Sequence, residues 1–164
     1  MLRIFLMSPL TLAACSEPEI TEAERREMVA EVEAAQVIPA EPITLGAIDY
    51  AEIEEAELSG AGCVFLRPRV SGRSDVLFIG MDDIGAMKVD GRLQRLAPDK
   101  GASRLPYLGW SKYDGTTHSV RLSYDEPSAR QSGDEVTQYN GSITARDGRD
   151  RVVFEESGTL ECGA

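Results

Sequence analysis

Paired turn residues divide the second part of the chain into short segments, and they constrain its fold most strongly. The pairs are Ser71-Gly72, Asp90-Gly91, Asp114-Gly115, Ser132-Gly133 and Asp147-Gly148. Between the turns, apolar residues alternate with polar ones, most clearly where Val120, Leu122 and Tyr124 alternate with serine and arginine. When apolar residues recur at every second position, they all lie on one face of the strand, and that face packs against a core. Residues 61–164 are therefore predicted to form antiparallel strands.

Some turn signals also predict how particular strands pair. Asp90-Gly91 lies between two strand-like runs and predicts a tight two-residue hairpin. Asn140-Gly141 is interpreted as a bulge within one strand over 135–146, because Asp147-Gly148 already supplies a turn. In the last segment, the residues of one parity are expected to face the core; they are Val152, Phe154, Leu160 and Cys162.

The N-terminal residues carry an export pattern. Arg3 precedes a short apolar stretch, which closes with Leu12-Ala13-Ala14-Cys15. That stretch is too short to span a bilayer, which needs about 20 apolar residues. The motif Leu12-Ala13-Ala14-Cys15 resembles the lipobox of bacterial lipoproteins. The resemblance implies that residues 1–14 are a signal peptide and that Cys15 is lipidated. In that family an aspartate after the cysteine favours retention in the inner membrane, so Ser16 at this position implies an anchor on the periplasmic face of the outer membrane.

Two cysteines remain once Cys15 is assigned to lipid. Export would place Cys63 and Cys162 in an oxidising compartment, where a disulfide is expected, with two free buried thiols as the alternative. A disulfide brings its Cα atoms within about 7 Å, so the first and last strands would be neighbours. The predicted fold is mainly β, an antiparallel meander of about seven or eight strands that closes as a small barrel. A β-sandwich is the alternative.

Charge divides the chain near residue 60. Residues 16–60 hold 13 acidic residues against Arg25 and Arg26, whereas residues 61–164 hold 15 acidic and 14 basic residues. We therefore predict a lipidated acidic tether over 15–60 and a barrel domain over 61–164. This balance excludes nucleic-acid binding, which requires a basic face.

The tether is predicted to contain one N-terminal helix. Thr21 and Glu24 have the spacing of a capping box, a thin apolar stripe follows to residue 36, and Pro39 ends the helix. A second short helical turn is predicted from Asp49 to Glu55, where Asp49 again has capping spacing.

Candidate binding residues fall into two groups. Arg67, Arg69 and Arg73 cluster beside a turn, and guanidinium groups suit phosphate or carboxylate. The alternative is a solvated loop whose arginines pair with local acids. Tyr107, Trp110 and Tyr113 lie in one strand-like run. Because Trp110 has the opposite parity to the two tyrosines, one set should point outward, where it could form a contact site. The alternative is that these rings pack in the core or are covered by the N-terminal helix.

No pattern identifies an enzyme. His118 is the single histidine, it follows a turn, and it is interpreted as a strand-end residue rather than a general base. The acidic doublets lack the spacing of a calcium loop. We predict no catalytic residue, no metal site and no cofactor.

The chain is predicted to act without catalysis, by binding another envelope protein. A barrel that holds a small apolar ligand is the alternative. In size, anchor and all-β character the chain resembles the lipoprotein inhibitors of lysozyme, which are small disulfide-bearing barrels. Their tyrosine-containing cysteine motif is missing at Glu161-Cys162-Gly163-Ala164, so no inhibitory residue is carried over. Lysozyme inhibition and an unrecognised hydrolase remain further alternatives.

Overall fold

The computed structural model describes residues 20–36, 38–69 and 72–164. The chain divides into two units, of which one ends at Pro39 and the other spans Ala40–Ala164. The second unit thus begins about twenty residues before the boundary at residue 60 that charge suggested. Cys15 and the predicted signal peptide lie outside the described residues, so export and lipidation remain predictions.

The first unit contains the predicted N-terminal helix, α1, which spans Glu22–Gln36. Its capping box forms as expected, with the Thr21 amide donating to Glu24 Oε2 at 2.8 Å and the Glu24 amide donating to Thr21 Oγ1 at 3.3 Å. No residue of α1 is buried, and the apolar stripe of Met28, Val29 and Val32 is exposed.

The second unit is an antiparallel barrel. Within the described residues the strands are β1 (Leu45–Gly46), β2 (Gly62–Pro68), β3 (Ser74–Met81), β4 (Gly85–Val89), β5 (Arg92–Pro98), β6 (Lys112–Asp114), β7 (His118–Tyr124), β8 (Arg130–Gln131), β9 (Val136–Asp147) and β10 (Val152–Gly163). Eight of them form a closed ring in the order β2-β3-β4-β5-β6-β7-β9-β10, in which β10 pairs back with β2. The two short strands β1 and β8 add to β4 and β9.

The predicted meander with joined ends is therefore confirmed. Cys63 on β2 lies directly opposite Cys162 on β10, and the two form a disulfide with their Cα atoms 4.0 Å apart. The Asp90-Gly91 hairpin is also confirmed, since Val89 pairs with Arg92. Both turn residues have positive φ, 49° and 75°, as tight hairpin turns require.

A second apolar layer covers part of the barrel's outer face. The short helix α2 spans Tyr50–Glu55, and Asp49 caps it as the sequence predicted. Ile48 and Leu58, which flank α2, are buried with Ile79 and Ala86 on the outer face of β3 and β4. An ion pair of 2.6 Å between Lys88 Nζ and a glutamate of α2 also joins these layers.

The barrel interior is filled by side chains. Tyr113 is fully buried, and its ring lies against Gly80 and Gly85, where a Cβ atom would come within 2.7 Å and 2.6 Å of it. Phe78 packs beside it with ring centroids 5.2 Å apart. Gly80 on β3 and Gly85 on β4 have no side chains, and this leaves room for the Tyr113 ring. Side chains of the core thus occupy this part of the barrel interior.

Two details of the strand patterns differ from prediction. Val153, not Val152, is buried, because a bulge between Val152 and Phe154 shifts the pairing of β10 and reverses the parity of its first residues. The bulge predicted at Asn140-Gly141 is wrong, since β9 keeps regular pairing with β10 through both residues and with β7 as far as Gly141.

Candidate binding surface

The aromatic run 107–113 is not one strand. Residues 99–111 form a loop between β5 and β6, and only Lys112–Asp114 are in strand conformation. Within the loop, residues 103–111 fold back as a hairpin that we call the plug hairpin. Its arms are held by bonds of 2.9 Å from the Ser111 amide to Ser103 O and from the Leu105 amide to Gly109 O. Strand parity therefore does not decide which aromatic ring points outward.

The plug hairpin is anchored in the end of the barrel. Leu105 and Trp110 are buried in the same core as the disulfide. The Tyr113 hydroxyl accepts a hydrogen bond of 3.0 Å from the Trp110 amide and donates one of 2.8 Å to Met81 O. Burial raises the pKa of Tyr113 to about 12, so the phenol remains a donor at neutral pH. Tyr113 is thus a core residue and does not point outward, which matches the alternative of core packing.

Trp110 is likewise turned inward and is covered. The residue is 7% exposed, and its Nε1 atom donates to Asp82 O at 3.1 Å. The guanidinium of Arg104 lies 4.0 Å above the ring and bonds to Asp82 Oδ1 at 2.7 Å. This stack of cation and indole fixes the base of the plug hairpin. The pairing of Arg104 with Asp82 was not identified from the sequence, since the two residues are 22 positions apart and only the fold joins them.

Tyr107 and Leu108 occupy the tip of the plug hairpin. They are 40% and 55% exposed, and both have positive φ, 52° and 66°. This left-handed conformation costs roughly 1–2 kcal/mol for a residue with a Cβ. Pro106 O lies 3.2 Å from the Sγ atom of Cys63, so the disulfide supports the tip from beneath. The structure therefore holds two exposed apolar residues in a strained position.

Further tyrosines lie at the same end of the barrel. Tyr124 and Tyr139 pack edge to face with ring centroids 4.9 Å apart. Burial raises the pKa of Tyr139, and the nearby phenols of Tyr124 and Tyr107 and the carboxylate of Glu126 raise it further. Strand pairing places the loop that follows β7 at the barrel end that carries the hairpin tip. Cys162, which is bonded to the Cys63 beneath Pro106, pairs with Thr137, and Thr137 pairs with Gln131 of that loop.

The predicted arginine cluster is largely neutralised. Arg67 and Arg69 both pair with the buried carboxylate of Asp75, and Arg67 also lies 3.6 Å from Glu156. The Arg69 side chain is the main cause of a lowered Asp75 pKa. Arg73 is exposed in the turn between β2 and β3. This arrangement matches the alternative of a loop whose arginines pair with local acids, and it lies at the barrel end opposite the disulfide.

His118 lines a polar cleft at that opposite end. The cleft has a volume of about 390 Å³ and is also lined by Glu41, Asp90, Asp147 and Arg151. The His118 ring nitrogen Nδ1 lies 2.9 Å from its neighbour Thr117, while Asp147 is bound by Arg151 Nη2 at 2.6 Å. Arg151 lowers the pKa of Asp147 to about 2. Asp147 is thus bound to the arginine, and the histidine bonds elsewhere.

The described residues contain no group of three or more metal-ligating side chains arranged to hold a metal ion. No helix in the described ranges is long and apolar enough to cross a membrane. Comparison with protein-family models, curated proteins and solved structures found no match to this chain.

Proposed function

We propose that the protein is a lipid-anchored protein of the bacterial envelope that binds another envelope protein without catalysis, through the tip of the plug hairpin. The supporting observation is the pair Tyr107 and Leu108, exposed side by side in the left-handed conformation. Strain of this kind persists only where the surrounding structure enforces it, and it is concentrated at functional positions.

The tip has the physical character of an interface anchor. Tyrosine is enriched among the residues that carry most binding energy, because it offers a large, stiff side chain with a polar end. The disulfide, the buried Leu105 and the stacked Arg104 and Trp110 hold the tip in one conformation. A rigid tip loses little entropy when it binds, so more of the contact energy appears as affinity.

The described exposed apolar residues also include a suitable control. Tyr50 on α2 is 73% exposed, more than Tyr107, and its hydroxyl bonds to Glu54 of the same helix at 2.7 Å. It lies in an ordinary helical conformation with no strain. If exposure alone governed binding, Tyr50 would matter as much as Tyr107.

Co-purification from membranes tests the proposal. Tagged protein with its N-terminus intact is solubilised in mild detergent and compared with the double variant Tyr107→Ser/Leu108→Ser and the control Tyr50→Ser. One protein should accompany the wild type and the control and be lost from the double variant. A partner retained equally by all three, or no partner at all, would overturn the proposal.

The anchor requires a separate test. Export and lipidation at Cys15 predict that an inhibitor of lipoprotein signal peptidase causes a larger precursor to accumulate. A Cys15→Ser variant should no longer carry lipid and should leave the membrane fraction. An unchanged size on inhibition, together with unchanged membrane association of Cys15→Ser, would contradict the anchor while leaving the binding test intact.

A further inference from the structure

We infer that the partner surface that meets this end of the barrel is basic, with lysine or arginine side chains around an apolar pocket that receives Tyr107 and Leu108. This inference rests on the proposed function and names the chemistry of its partner. It is carried by the loop 125–135, which follows β7 and lies beside the plug hairpin.

The loop 125–135 is strongly acidic and open to solvent. It has one basic residue, Arg130, against four exposed carboxylates at Asp125, Glu126, Asp134 and Glu135. Its formal charge is therefore −3, whereas the whole segment 61–164 has a charge of only −1. The negative charge of the barrel domain is thus concentrated at the end where the hairpin tip is exposed.

The fold makes no use of these carboxylates. Among the described residues, none of the four has a side-chain hydrogen bond or an ion pair, and Asp125 precedes a short 3₁₀ turn without capping it. By contrast, two cations of the loop between β5 and β6 are already engaged, since Arg104 of the plug hairpin and Lys100 just before it both lie within 3.9 Å of Asp82. The acidic loop is therefore free to meet charges from outside.

The negative charge of the loop 125–135 disfavours partners whose surfaces are acidic or uncharged. A surface that covered the tip would also remove water from these carboxylates, which is costly unless the surface supplies opposite charges or donors. An acidic protein or an anionic lipid surface would add repulsion. A basic surface removes both penalties and also steers encounter, because complementary charge raises association rates.

Photo-crosslinking in native membranes tests this inference. p-Benzoylphenylalanine replaces Tyr107, which keeps an aromatic ring at the tip, and the adduct is quantified by gel and identified by mass. The test variant neutralises the four loop carboxylates as D125N, E126Q, D134N and E135Q. The matched control makes the same change in charge elsewhere, as E27Q, E31Q, E33Q and E55Q.

We expect one protein adduct, whose yield falls about tenfold in the test variant and stays near wild type in the control. Raising NaCl from ~0.1 M to ~1 M shortens the screening length from about 10 Å to about 3 Å and should have a similar effect. The contact surface of the captured protein should carry excess lysine and arginine.

The outcomes separate the two proposals. Absence of an adduct specific to position 107, with the photoprobe at Tyr50 as comparison, overturns both the binding function and the basic partner. An adduct whose yield ignores salt and loop neutralisation supports the binding function and overturns the inference. Adducts with lipid, or equal losses in test and control variants, overturn the inference as well.

Discussion

Strain at the hairpin tip can be measured by comparing glycine with alanine at Leu108. Both substitutions remove the leucine contacts, but only alanine retains a Cβ atom at φ 66°. The left-handed conformation costs a residue with a Cβ roughly 1–2 kcal/mol. Glycine loses more backbone entropy on folding, which costs about 0.5–1 kcal/mol. The difference predicts that Leu108→Gly is more stable than Leu108→Ala by about 0.5–1 kcal/mol.

Urea unfolding is a suitable assay, because Trp110 is the single tryptophan and lies buried at the base of the same hairpin. The free energy of unfolding falls by about 2 kcal/mol for each M of urea, so the midpoint of unfolding should lie ~0.3–0.5 M higher for the glycine variant than for the alanine variant. Both variants should lose the captured partner, which separates the loss of binding from the loss of stability.

Glu155, an exposed residue of β10 with ordinary backbone geometry, provides the control. There the order should reverse, and Glu155→Ala should be more stable than Glu155→Gly by about 0.5–1 kcal/mol. If alanine were the more stable residue at both sites, the tip would not be strained, and the main support for its functional role would be lost.

Three further predictions concern the barrel. Gly85→Ala should lower the free energy of unfolding of the barrel, measured in urea, by about 1–3 kcal/mol, because the new methyl group would overlap the Tyr113 ring. In the control Gly148→Ala the methyl group meets open space, so the stability should change little, and equal effects of the two variants would contradict the packing. Replacing both disulfide cysteines by alanine should cost up to ~4.7 kcal/mol, and unfolded, unreduced wild type should show no reactive thiol at either position; labelling there would contradict the bond. Because folding lowers the Asp147 pKa to about 2, its ion pair with Arg151 stabilises the fold fully above pH 4, and this contribution is lost as the pH falls toward 2. Asp147→Asn should therefore lose less stability than the wild type between pH 4 and pH 2, and an unchanged pH dependence in that range would refute the prediction.

The strand pattern and the cysteine positions were sufficient to predict the meander. Val120 and Leu122 are buried as their alternation indicated, and Cys63 pairs with Cys162 where two terminal strands meet. These predictions succeed because side-chain parity in a strand is a local property, and because a covalent bond imposes one long-range contact.

The candidate site could be predicted only in part. Tyr107 was among the residues proposed from the sequence, and it is exposed, but Leu108 was missed and Trp110 proved to be buried. The parity argument failed there because the chain leaves the strand, and a hairpin has no period of two. The pair Pro106 and Gly109, which brackets the tip, is the local signal that indicates a turn.

The sequence by itself thus determined the strands, the capped helices and the pairing that closes the barrel, because each depends on neighbours in the chain or on a single bond. Only the tertiary structure decided what the barrel encloses and what it exposes. Tyr113 fills the interior because glycines from two other strands leave space for it, and Arg104 covers Trp110 because Asp82 lies across the barrel end. Such contacts join residues far apart in the chain, and no local pattern encodes them. The same packing leaves Tyr107 and Leu108 exposed beside an acidic loop.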